Sequence, residues 1–347
     1  LGTWRFSPRM TTRLADVQTS VSGSRHRSLC FYFFLDGMNS ILENTTGYFG
    51  PQSATWQIYR EPAFLFGSVR ALLLQVAHPA VAEGVARFSN FQQDALARGR
   101  RTFLAMTNIY FGDRQTADFT AKKMNAMHRH IRGNFPSEKV GRVVPQPYEA
   151  NDPALKLWVL ATLFDTSILA YETILKPLPL EIKQRFFEES KVTARLMEIP
   201  AEIYPADFEA FNLYFQNMLH GGELAIGETG RQLCQSILEH KLAPRRLSRL
   251  LAIGFLPPHL VEAFGIKVLP GDQRKFERAI QISRIGYRLT PPPLRYCPAW
   301  HQAMRRVALA EKQRPSLLQT MYGWLEKWVD VPLGMPSNRH LKTQTAR

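Results

Sequence analysis

The chain has 347 residues, 45% of them hydrophobic, enough for a sizeable core in one large or two ordinary domains. Its formal charge of +15 suits anionic partners, but the charge is scattered. No run of five Lys or Arg and no zinc-finger, ribonucleoprotein or basic-zipper pattern is present, which argues against nucleic acid and leaves peripheral membrane contact open.

Residues 1–37 are rich in Arg and Ser and poor in acids. They read as a disordered or spurious extension, with a targeting peptide the less favoured alternative. Residues 38–330 are expected to form one all-α domain, and residues 331–347 a disordered tail. Cys30, Cys234 and Cys297 are far apart and form no Cys-x-x-Cys pair, so they point to a reducing, cytoplasmic setting rather than a disulfide framework. No uninterrupted apolar stretch approaches the roughly 20 residues of a membrane span.

In chain order, residues 47–62 are punctuated by Gly and Pro and predict a loop with aromatic anchors. A nearly all-apolar helix is expected over 63–78, broken where Pro79 removes a backbone donor, and a short helix over 80–88 follows. A loop over 89–94 leads to a helix over 95–110, ended by Phe111-Gly112. Asp113 is a fair cap for a helix over 115–132, on which Ala117, Ala121, Met124, His128 and Ile131 form one stripe. Its small residues leave room for something bulky to approach. Residues 134–152 predict a loop, and Asp152-Pro153 opens a long apolar helix to about 175 with Asp165 in its middle. A buried carboxylate there needs a partner, most simply an arginine. Amphipathic helices are expected over 179–197, 206–219, 229–239 and 243–255, helical basic sequence over 259–290, and closing helices over 301–312 and 316–328. Sustained period-two alternation is absent, so the fold class is all-α, a single multi-helix bundle.

Several chemistries are excluded by missing motifs. There is no Glu-x-x-His for a carboxylate-bridged di-iron bundle, no His-Glu-x-x-His zinc helix, and no Cys-x-x-Cys-His for covalent haem. Phosphate-cradling glycine loops and Gly-x-Ser-x-Gly elbows are also missing. A non-covalently bound cofactor, or none, remains. His128 could bind one axial position of haem iron in a buried pocket and leave the other face for dioxygen. On the residues alone, the plainer reading is a core histidine bonded to a carbonyl. His78 could be a pocket proton donor or second ligand, or a kink residue whose ring satisfies carbonyls freed by Pro79. Arg98, Arg101 and Thr102 share a helix face, where they could meet haem propionates, Asp165 or a bound oxygen species, or could be solvated.

The blocks RALLLQVAHPAVAEGV, RGRRT, FGD, MHRHIRG and LWVLATLFDTSILAYE, in that order, resemble the DUF2236 family, described also as the rubber oxygenase and mycophenolic-acid oxygenase catalytic domain. The resemblance runs from about residue 59 to 260. It implies an all-α fold, haem b, and oxidative cleavage of an apolar, isoprenoid or olefinic substrate with dioxygen. A non-catalytic haem- or lipid-binding protein of the same fold is the alternative. By position, the resemblance makes His128 the axial iron ligand and puts Arg98, Arg101 and Thr102 on the distal helix. Arg101 stands where a relative has an iron-ligating lysine, and an arginine stays protonated, so the sixth site would be open or water-bound. His78 belongs to the His-Pro signature with no role assigned by it. Phe88 and Leu160 stand where many members carry histidine, which puts any proton relay through those positions in doubt.

Overall fold

Pro79 turns the chain through 104° between two helices that would otherwise read as one apolar run, α2 (Phe64–Ala77) and α3 (Pro79–Phe88). The computed structural model describes residues 45–328 except 46, 89–90, 140–141 and 240–244. Side chains of 91–100, 137–145 and 325–328 lie outside the described set. So do residues 1–37, with Cys30, and 331–347. Of two compact units, Leu1–Leu42 and Glu43–Arg347, only the second is described.

The first helix, α1 (Ala54–Tyr59), lies inside the stretch expected as loop. Its N-terminal amides are satisfied from two sides. The Ser53 hydroxyl accepts from Trp56, and the Glu189 carboxylate accepts from Ala54 and Thr55 at 2.9 and 2.7 Å. The Trp56 indole donates to the Tyr110 carbonyl at 2.7 Å, pinning α1 to α4 (Phe91–Phe111). Next comes α5 (Arg114–His128), capped by the Asp113 carboxylate, which accepts from the Thr116 amide at 2.7 Å.

Residues expected as loop then pair as an antiparallel hairpin, β1 (Arg132–Lys139) with β2 (Arg142–Glu149). Pro136, Pro145 and Pro147 hide it from a periodicity search. In a two-stranded sheet both strands are edges, where proline is tolerated. The all-α assignment otherwise holds, with this hairpin the one sheet among the described residues.

The central helix α6 (Pro153–Ile174) packs antiparallel to α2. The seam is close because Gly67 has no side chain: a Cβ there would sit 2.4 Å from Thr166 Cγ2. α6 is long and apolar enough to cross a membrane, but two thirds of that apolar window is buried inside the fold, as in a core helix. Its other face meets α7 (Leu180–Leu196) and α8 (Phe208–His220) through aromatic contacts, Phe164 to Phe186 at 4.6 Å and Phe164 to Phe211 at 4.8 Å.

The rest forms a flank: α9 (Glu228–Leu238), α10 (Arg245–Phe255), α11 (Pro258–Ala263), α12 (Asp272–Leu289), α13 (Pro292–Arg295), α14 (Pro298–Ala310) and α15 (Leu317–Trp328). The basic stretch 259–290 divides into α11 and α12 because Gly265 and Gly271 take left-handed backbone at φ 69° and 84°.

Buried His301 on α14 shares its Nε2 with the Pro293 carbonyl at 2.8 Å and stacks on Tyr322. Burial pushes its pKa below the usual 6.5, against the opposing pull of that carbonyl. The unfolded chain therefore takes up this proton more readily than the folded one. The site's contribution is intact above pH 6.5 and is lost as pH falls through the lowered folded value. Urea midpoints measured from neutral to mildly acidic pH should fall, and His301→Phe should flatten that slope. An equal slope in the variant would place the acid sensitivity elsewhere.

Candidate active site

His128 is the last residue of α5 and half-buried. The helix ends there, rather than at 132 as expected, because the Ile131 amide returns to the His128 carbonyl and the chain leaves into β1. α4 and α5 form an antiparallel hairpin about Gly112, with Asn108 Nδ2 donating to Thr120 Oγ1 at 3.2 Å. Arg98, Arg101 and Thr102 thus lie on one helix of this hairpin and His128 on the other. Arg98 lies on α4, its side chain outside the described residues. Arg101 and Thr102 are solvent-exposed.

The small-residue stripe serves packing over most of its length. Ala117 and Ala121 are buried, and Asn125 donates to the Leu196 carbonyl at 2.9 Å. Protein fills the space expected for a bulky group. The stripe opens only at its end, where Met124 and His128 are partly exposed. There Met106 of α4, Met124 of α5 and Tyr214 of α8 pack on a buried apolar cluster that includes Leu157, Leu160 and Met197.

Charged groups gather beside this apolar wall. Arg129, next to His128, holds Glu198 at 2.9 Å. Lys156, one turn into α6, is buried and donates to Asn151 Oδ1 at 2.9 Å. Burial pushes its pKa down, while Glu198 and Asp152 pull it up and Arg129 adds to the lowering. Asp152 also acts on His78, whose pKa burial lowers against Glu223 and Asp152. The His-Pro corner and the end of α5 thus converge on the start of α6.

His78 Nδ1 is buried without a hydrogen-bond partner among the described residues. That nitrogen therefore does not satisfy a carbonyl freed by Pro79, as the kink reading requires. Asp165 does orient an arginine: Arg70, at 2.6 Å. Burial raises the Asp165 pKa in spite of that guanidinium.

Two groups escaped the sequence reading. One is Lys156, a lone cation in the apolar run ALKLWVL. The other is Glu83, in AVAEGV, which is buried on α3 and accepts from Thr229 Oγ1 at 2.5 Å and from Arg87 Nε at 3.2 Å. A charged residue inside an otherwise apolar block was the available signal for both. Neither the cleft beside Arg114 and Asp118 nor the one beside Arg60 and Tyr296 is lined by His128.

Residues 56–285 match the family described as "ER-bound oxygenase mpaB/B'/Rubber oxygenase, catalytic domain". The chain belongs to this family. The resemblance seen in its sequence blocks is thereby established, and with it an oxygenase-type catalytic domain. Uncharacterized proteins of Mycobacterium bovis and Mycobacterium tuberculosis are each 25% identical to it over 233 residues, covering 63% of this chain and 87% of theirs. No solved structure matches it significantly.

Oxygenases of this kind invite the question of a haem. Among the described residues no group of three or more His, Cys, Asp and Glu could hold a metal ion. Haem iron needs only one or two side-chain ligands, so the donor set is the relevant test. A half-buried imidazole at the end of α5, four residues after Met124, fits that requirement.

Proposed function

We propose that this protein is a haem b-dependent oxygenase acting on an apolar, isoprenoid or olefinic substrate with dioxygen. The observation that carries the reading is His128. It ends α5, four residues after partly exposed Met124, on the helix that pairs with the one carrying Arg98, Arg101 and Thr102, in a chain of an oxygenase family. Haem bound here would supply the redox chemistry for activating dioxygen.

The residues have separate tasks. The His128 imidazole would hold the iron. Arg98 and Arg101 bind carboxylate groups or polarise oxygen, and Thr102 offers a hydroxyl donor on the same helix face. Met106 and Met124, partly exposed over buried Leu160, would exclude water and meet the olefin. His78, pushed toward its neutral form and with a vacant Nδ1, can hold or pass a proton at the rim. Arg101, held protonated, would not compete as an iron ligand as a lysine could.

The deciding measurement is the ultraviolet–visible spectrum after haem supplementation, wild type against His128→Ala. Wild type should show a Soret band and the variant should lose it or shift it. A wild-type protein with no Soret band, or a spectrum indifferent to the substitution, overturns the proposal. The exposure of Arg101 and Thr102, with apolar Phe88 and buried Leu160, favours one rival: a non-catalytic haem- or lipid-binding protein of the same fold. Haem binding without dioxygen consumption across a panel of isoprenoids would select it.

A further inference from the structure

We infer that the outer face of α12 docks the protein onto an anionic membrane surface, with the basic cleft on its flank receiving a lipid phosphate. α12 buries Phe276 and Ile280 on its inner side. On its outer side Ile282, Ile285 and Leu289 recur at i, i+3 and i+7 and are 69, 57 and 77% exposed. Leu294 on α13 adds a fourth large apolar side chain, 58% exposed. The spacing makes one stripe rather than scattered residues, and the fold gives it no partner among the described residues.

Cations surround the stripe. α12 carries Arg274, Lys275, Arg278, Arg284 and Arg288, all exposed, against two carboxylates. Of these, Asp272 is buried and held by Arg249, and Glu277 accepts from Gln273. Beside the stripe lies a cleft of about 280 Å³ lined by Arg60, Lys176, Arg284, Arg288, Arg295 and Glu61, with tyrosine walls. Glu61 does not neutralise the set, because Arg295 takes both its oxygens at 2.7 and 3.0 Å. Arg60 Nε is buried without a hydrogen-bond partner, its guanidinium 4.6 Å from the Tyr296 ring centre.

A phosphate group fits this charge and has room in this cleft. Charge complementarity selects the occupant. A second copy would bring the same cations against each other, while an acidic bilayer accepts the apolar stripe below its headgroups and the cations among them. This face is at the C-terminal end of α6, about 30 Å along that helix from the His128 end. The inference therefore stands whether or not the haem reading does.

The test is co-sedimentation of the full chain with phosphatidylcholine vesicles, with and without phosphatidic acid. Binding should require the anionic lipid and weaken with salt. An Ile282→Ser/Leu289→Ser variant should bind about tenfold more weakly. Arg284→Gln and Arg288→Gln should each cost about fivefold. Ile282, Arg288 and Leu289 are exposed and their variants should keep the wild-type melting temperature; Arg284 Nε donates to the Thr173 carbonyl at 2.6 Å, so Arg284→Gln is compared at equal folded fraction. Equal binding to neutral and anionic vesicles, or indifference to the apolar pair, overturns the inference. Protection by inorganic phosphate without vesicle binding would make the cleft a free-anion site and also overturn it. So would a dimer in sedimentation equilibrium that Ile282→Ser/Leu289→Ser dissociates, which would assign the face to a second copy.

Discussion

An Arg70→Met variant should lose on the order of 3–5 kcal/mol of folding stability, read as a lower urea midpoint at unchanged slope. Arg70 projects from α2 into the seam with α6 and is buried. Its guanidinium pairs with Asp165 at 2.6 Å and donates to Thr166 Oγ1 at 2.5 Å and to the Phe255 carbonyl at 3.1 Å. One side chain thus joins α2, α6 and the end of α10. Methionine matches much of its apolar stem but leaves a desolvated carboxylate, a hydroxyl and a carbonyl without their donor. Removing the stranded charge as well should recover most of the loss, so Arg70→Met/Asp165→Leu is expected to be far more stable than the single variant. A single variant within about 1 kcal/mol of wild type would show that the pair is solvated like a surface ion pair.

This network also shows what the sequence could and could not disclose. Asp165 in a long apolar helix was recognisable as a charge needing an arginine. Which arginine depended on α2 and α6 being antiparallel neighbours, and no pattern along the chain encodes that. Helices α2 to α6 were legible because apolar periodicity, Pro79, Gly112 and Asp152-Pro153 mark them independently of tertiary contacts. α1 was not, since six residues are too few to show a period and its amides rely on Glu189 from far along the chain. The hairpin was hidden by its prolines. At the site, the face shared by Arg98, Arg101 and Thr102 was readable as spacing. The exposure of Arg101 and Thr102 and the packing over Ala117 and Ala121 were not readable, because they depend on which neighbour covers each face. The same ambiguity concealed Lys156, whose burial comes from the elements that meet at the start of α6.

Trp158→Ala should cost about 3–5 kcal/mol, and Trp158→Phe about 1–3 kcal/mol through a different cause. Trp158 is fully buried on α6 and stacks on Phe215 at 5.6 Å, so truncation leaves a large cavity. Its indole also donates to the Leu74 carbonyl at 3.1 Å, and the need for that bond traces to Pro79. Pro79 has no N–H to offer the Gln75 carbonyl, so the His78 amide turns to Gln75 instead, at 3.3 Å. The Leu74 carbonyl then lacks its usual donor four residues on, and Trp158 supplies one. Phenylalanine preserves most of the packing but not the donor, so the last turn of α2 before His78 should loosen. Faster amide hydrogen exchange at residues 76–78 in Trp158→Phe is the expected signature, together with a spectral change if the His78 corner borders a bound haem. Wild-type exchange in that variant would mean that Leu74 finds another donor. The His-Pro corner would then be held by the apolar seam alone.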